Sequence, residues 1–169
     1  EAFSNLINAG LYIIEPEVMD LIPLNQKYDF SKQLFPQLLE KGWPMYAKIV
    51  KGIWFDVGHP FEIHKSQMEL IAKREILPFP MPDGEVLPDG SFIANGAAVS
   101  GHIQNSVVLE GGSVTGAVVD SVVMSNSSVN GVAEKSIVGE NSVVDSRIID
   151  CVIGHNQNIQ IDLQNERRP

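Results

Sequence analysis

"SIVGENSVVDSRIID", residues 136–150, repeats the cadence of the stretch before it, "SVVMSNSSVNGVAEK", residues 121–135. Short apolar runs alternate with turn residues in both. Equivalent blocks begin at Ser91, Ser106, Ser121, Ser136 and Cys151, a spacing of about 15 residues, which is short for a solenoid repeat. In this register the third position is Ile93, Val108, Val123, Val138 and Ile153, and the ninth is Val99, Val114, Val129, Val144 and Ile159. The sixth is Gly96, Gly111, Asn126, Asn141 and Asn156, followed by the small or polar Ala97, Gly112, Ser127, Ser142 and Gln157. Val and Ile favour strands and point into a core. Gly and Asn tolerate the left-handed backbone of a corner. Each block is therefore expected to be one coil of a parallel β-solenoid. No coil buries its core alone, so stacking supplies the stability. The last coil turns polar, "NQNIQIDLQNERRP", as a cap against end-to-end stacking would.

Composition bounds the rest. The 169 residues are 44% hydrophobic and 20% charged, a globular profile. The net charge of −9 argues against a nucleic-acid partner, which needs basic patches to neutralise phosphates. No apolar run approaches a membrane span, so no membrane partner is expected. The single cysteine, Cys151, forms no intrachain disulfide, and a reducing cytoplasm is the simplest location. It takes the slot that serine fills in the other four blocks and reads as a packed small residue.

The chain changes character near residue 77. "NAGLYIIE" (8–15) reads as a buried strand. With no initiator Met, this opening suggests a strand entered mid-fold in a longer protein. "DFSKQLFPQLLEKG" (29–42) reads as a helix capped by Asp29, ended by Gly42 and kinked by Pro36. "MYAKIVKGIWFDVG" (45–58) reads as two strands about a Lys51-Gly52 turn. "PFEIHKSQMELIAKRE" (60–75) is the clearest helix, with Phe61, His64, Met68, Ile71 and Ala72 on one face. "LPFPMPDGEVLPDG" (77–90) holds four of the ten prolines and reads as a stiff, extended connector.

The repeat pattern resembles the hexapeptide repeats of left-handed β-helix proteins, and the left hand is implied by that resemblance alone. "NAGLYIIEPEV" (8–18), "DFSKQLFPQLLEKG" and "GIWFDVGHP" (52–60) occur in an order that resembles the C-terminal part of sugar-1-phosphate nucleotidyltransferases, most of all the mannose-1-phosphate guanylyltransferase group. The resemblance implies an α/β fold class for the first part: residues 1–76 as the C-terminal part of a Rossmann-like catalytic domain. A proline-rich linker (77–90), a left-handed parallel β-helix of about five coils (91–165) and a short tail (166–169) would follow. It implies a reaction of a sugar-1-phosphate with a nucleoside triphosphate that yields a nucleotide sugar and pyrophosphate.

The same resemblance implies the site residues. Asn8 and Gly10 match the segment that borders the sugar pocket, where a glycine lets backbone approach a ligand and an amide binds a hydroxyl. Asp56, in "WFDVG", matches a ligand of the catalytic Mg²⁺, and Gly58 matches the turn beside it. His59 departs from the usual Thr or Ser and reads as a cap of the following helix. A second metal-binding aspartate and a glycine-rich triphosphate loop have no match in this chain. The chain alone is therefore expected to be inactive, with the Mg²⁺-dependent activity belonging to the complete protein. A homo-oligomer built through the β-helix is expected.

Two other readings compete. One is a scaffold or regulatory subunit that pairs with a separate catalytic chain. The other, with less support, is a hexapeptide acyltransferase using His102 or His155 as general base. These two histidines occupy different repeat positions and no block is interrupted by a loop, so the surface reading of both is favoured.

Overall fold

A computed structural model describes residues 6–169. Contacts gather the chain into two units, Glu1–Trp54 and Phe55–Pro169.

In the first unit, "NAGLYIIE" is extended but finds no strand partner among the described residues. Leu11 and Ile13 are exposed as a result. The same holds for the two strands expected over 45–58: the segment bends at Gly52 and forms no ladder. Apolar alternation makes a strand only where a neighbour supplies the hydrogen bonds. Helix α1 (Pro16–Met19) and helix α2 (Phe35–Glu40) enclose a small core of Val18, Leu34 and Leu38, with Tyr28, Phe30, Phe35 and Trp43 packed around it. Asp29 accepts the Lys32 N–H at 2.9 Å. Pro36 has no N–H to donate, and the turn before α2 widens to a π-helical one over Phe30–Leu34. Beyond α2, Trp43 donates back to the Leu38 carbonyl at 3.0 Å across Gly42, which closes the helix end.

In the second unit, coils of 15 residues stack in register, with Ile137 beside Val122 and Val152. Three parallel ladders result. The first runs through Phe92–Ala94, Val107–Val108, Val122–Val123, Ile137–Val138, Val152–Ile153 and Arg167–Arg168. The second runs from Ala98–Val99 to Asn158–Ile159, and the third from His102–Gln104 to Leu163–Gln164. From the second coil onward the third and ninth positions fill the interior, as the repeat implied. A further column completes it: Val118, Ala133, Ile148 and Leu163 are buried, and Ile103 packs against them. Each buried Val or Ile contributes about 1.5–3 kcal/mol.

Two corners of every coil use a left-handed residue. Gly96, Gly111, Asn126, Asn141 and Asn156 form one set; Asn105, Asp120, Lys135, Asp150 and Asn165 form the other. The third corner brings successive coils into close contact. A Cβ on Gly101 would lie 2.0 Å from the Gly116 carbonyl oxygen, and one on Gly131 would lie 2.0 Å from that of Ser146.

The serine that opens each block is fully buried, and it carries polar bonding through the wall. Ser106 N–H donates to Ser91 Oγ at 3.0 Å, Ser121 N–H to Ser106 Oγ at 3.1 Å, and Ser136 N–H to Ser121 Oγ at 2.9 Å. The hydroxyls of Ser106, Ser121 and Ser136 in turn donate to a carbonyl two residues back, as Ser121 Oγ does to Val119 at 2.7 Å. Cys151 closes the series, donating its N–H to Ser136 Oγ at 3.0 Å. A second, shorter series runs through Ser127, Ser142 and Gln157.

Both ends differ from the sequence expectation. Within the expected connector, Gly84–Val86 is a strand that pairs antiparallel with Phe92–Ala94 and covers the first edge of the ladder. Asp89 seals that end: it accepts from Ser91 N–H (3.0 Å), Ser91 Oγ (2.9 Å) and Asn105 N–H (2.9 Å). These donors, the Asn105 N–H above all, hold its carboxyl below the usual aspartate range. At the other end, the expected tail continues the coil, with Arg167–Arg168 pairing parallel to Val152–Ile153.

Helix α3 (Phe61–Ala72) belongs to this unit. It covers the outer side of the first ladder, where Phe92, Val107, Val122 and Ile137 are buried and Ile71 and Phe61 meet them. The expected domain boundary at residue 76 thus differs from the division at Trp54, because the apolar face of α3 is buried on the coils. The 12 residues of α3 span about 18 Å, close to the roughly 19 Å across five stacked strands.

The serine series makes a measurable prediction. Ser121→Ala leaves the buried Ser136 N–H without its acceptor and should cost about 1–3 kcal/mol. Ser121→Cys, which copies the natural residue at 151, should cost less. Thermal melting that ranks the two variants equally would show that the hydroxyl column does not carry stability.

Candidate functional site

Asn8 and Gly10 lie in the first unit and form one local structure. Gly10 has a φ of +74°, a conformation that side-chain-bearing residues rarely adopt. Its N–H donates to Asn8 Oδ1 at 2.9 Å, and Asn8 Nδ2 donates to the Tyr12 hydroxyl at 2.7 Å. The asparagine thereby folds an Asx turn and exposes the backbone of Ala9 and Gly10. The Ala9 carbonyl accepts the Trp54 indole N–H at 3.3 Å. Asn8 is exposed. An asparagine amide has two donor hydrogens and two acceptor lone pairs, so these two bonds leave one of each for a hydroxylic ligand.

Tyr12 and Trp54 are the partners that sequence reading missed. Tyr12 stacks against Phe30 and Phe35, at ring-centroid distances of 5.4 and 5.3 Å, and so ties the turn to the small core. The available signal was the polar and aromatic pair four residues apart in "NAGLY"; the link from Trp54, 45 residues along, had none.

Asp56 and Gly58 lie in the second unit, in the loop that leads into α3. Both are exposed. A Cβ built on Gly58 would lie 3.4 Å from Asp56 Oδ1, so the two sit side by side and a side chain at 58 would crowd the carboxylate. His59 lies two residues before α3: its Nδ1 accepts from Phe61 N–H at 3.4 Å and its carbonyl accepts from Glu62 N–H at 3.0 Å. This capping role is the one its place before Pro60 suggested.

Whether these residues fit Mg²⁺ follows from ligand chemistry. Mg²⁺ takes about six oxygen ligands, typically one or two carboxylates with phosphates and water. Among the described residues no group of three or more His, Cys, Asp or Glu side chains is gathered for a metal. The exposed Asp56 carboxylate fits as one hard oxygen ligand of such a set. The acidic side chains of the solenoid surface form no comparable centre. His102 is exposed on the third ladder, and His155 lies 4.0 Å from Glu140 at a different coil position. No helix among the described residues is long and apolar enough to cross a membrane.

Comparison with known proteins bears on the first part of the chain. Residues 1–73 match the family model described as Nucleotidyl transferase. The chain is 41% identical over 88 residues to a UTP--glucose-1-phosphate uridylyltransferase of Synechocystis, covering 52% of this chain and 22% of that protein. It is 33% identical over 98 residues to a probable mannose-1-phosphate guanylyltransferase of Arabidopsis thaliana, covering 57% of this chain and 29% of the relative. It is 38% identical over 78 residues to the mannose-1-phosphate guanyltransferase of Saccharomyces cerevisiae, covering 44% and 21%. The chain therefore spans between about a fifth and three tenths of the length of these relatives. Residues 1–73 thus match the Nucleotidyl transferase family model, and in this chain they run on into a parallel β-solenoid.

Proposed function

We propose that this chain serves as the solenoid-bearing part of a sugar-1-phosphate nucleotidyltransferase of the mannose-1-phosphate guanylyltransferase kind. The observation that carries this reading is the family match over residues 1–73, which includes both the Asn8–Gly10 turn and the Asp56 loop. In the reaction, an oxygen of the sugar-1-phosphate attacks the α-phosphate of a nucleoside triphosphate, and pyrophosphate leaves. Catalysis of this kind rests on alignment and charge neutralisation. Asn8 would donate to or accept from a sugar hydroxyl, and the exposed backbone at Gly10 would allow the ligand close. Asp56 would supply one oxygen ligand to Mg²⁺, and Gly58 would keep space beside it. Neutralising the phosphate oxygens is what the ion supplies when bound.

The relatives' names span two sugars and two nucleotides, so the guanylyl and mannosyl assignment rests on their majority and on the resemblance of the motifs. The 169-residue chain by itself is inactive in this reading, because the glycines of "EGGSVTG" (110–116), its one glycine-rich stretch, belong to the solenoid coils and build no phosphate-cradling loop. A reducing, cytoplasmic setting suits its one buried thiol. Self-association through the exposed sides of the stacked parallel strands belongs to this reading. Light scattering that shows a monomer across micromolar concentrations would remove that part.

Asp56→Asn in the complete protein that carries this chain should depress Mg²⁺-dependent pyrophosphate release by orders of magnitude and leave thermal melting unchanged. Near-normal release would take Asp56 out of the metal site.

A further inference from the structure

The geometry points to Arg167, on the last strand of the solenoid, as a positioning residue for the Asp56 loop. Its guanidinium carbon lies 4.8 Å from the centre of the Phe61 ring, within the range of a cation–π contact. The same guanidinium is anchored on its own side, where Nη1 donates to the Asp150 carbonyl at 2.9 Å and the Glu166 carbonyl at 3.1 Å. It is thus a braced arm and not a free surface arginine. Phe61 is the first residue of α3, five residues after Asp56, and its N–H already bonds back to His59.

The helix is held at three levels. Arg167 meets its first residue. His64 Nε2 lies 2.6 Å from the Asn105 carbonyl at a solenoid corner. Ile71 is buried at the far end, where Met68 borders Gly90 of the capping hairpin. The helix therefore runs lengthwise along the first ladder, and the Asp56 loop emerges at the end that Arg167 holds. A rod assembled from coils ending more than a hundred residues downstream would fix where the carboxylate stands.

This inference rests on the proposed metal role of Asp56 and adds a residue that acts through another. The complete protein carrying Arg167→Ala should need about two- to five-fold more Mg²⁺ for half-maximal pyrophosphate release, the factor a cation–π contact of this exposure supports. Arg167→Lys, which keeps a cation over the ring, should restore most of it. In the 169-residue chain, hydrogen exchange of the amides over residues 56–62 should quicken in Arg167→Ala and not at the serine column. An unchanged Mg²⁺ requirement with unchanged exchange would overturn the inference, as would a lower melting temperature with no change in Mg²⁺ requirement, since that marks a merely structural contact. Asp56→Asn, run alongside, separates the failures. If it abolishes release while Arg167→Ala changes nothing, the positioning role alone falls. If it leaves release normal, the metal reading falls and takes this inference with it.

Discussion

Apolar residues stand at both the second and third positions of each coil, and the rest of the second unit follows from that pairing. The third position faces the interior, so the second must face outward, and Phe92, Val107, Val122 and Ile137 would meet water unless something lay over them. Helix α3 supplies the cover. The other two ladders carry mainly small, polar or charged residues on their outer sides, such as Ser113, Ser128, Glu134 and Arg147, and need none. The asymmetry of the three faces thus selects where α3 docks and draws the Asp56 loop, which precedes it, to the solenoid.

Burying so many backbone groups in a narrow rod requires every polar atom to find a partner. Strand ladders satisfy most of them, but the corners break the ladders. The buried serines answer this at two of the corners by accepting an N–H from the next coil and donating to a carbonyl behind. Asp89 repeats the arrangement at the first edge, where no earlier coil exists to supply a hydroxyl partner. Only a small side chain fits within the wall, which accounts for the cysteine at 151: its Sγ lies 3.2 Å from the Ile149 carbonyl, in the place of the serine hydroxyl.

Periodicity made the solenoid legible, because the third, sixth and ninth positions each keep one chemical type through five coils. The column of Ile103, Val118, Ala133, Ile148 and Leu163 was harder to see, since its size varies and its flanking residues vary between polar and apolar. The outward apolar column was present in the sequence too, as consecutive Val–Val and Ile–Val pairs, but alternation reads only one face as buried. The strands expected over 8–15 and 45–58 failed for a different reason: local propensity does not provide a pairing partner. Of the candidate site, composition and spacing revealed nothing; Asn8, Gly10, Asp56 and Gly58 were visible only through resemblance of short motifs. The bonds from Asn8 to Tyr12 and from Trp54 to Ala9 depend on tertiary placement that no single motif encodes.

The most direct test of the docking of α3 compares two aspartate substitutions by thermal melting. Val122→Asp places a charge beneath α3, within a buried apolar cluster, and Ser113→Asp places the same charge on an uncovered ladder. If the outward apolar column holds the helix, Val122→Asp should melt many degrees lower, with early loss of α3, while Ser113→Asp melts like the unaltered chain. Equal melting of the two would contradict the account, because it would mean that the first ladder's outer face is no more buried than its neighbours.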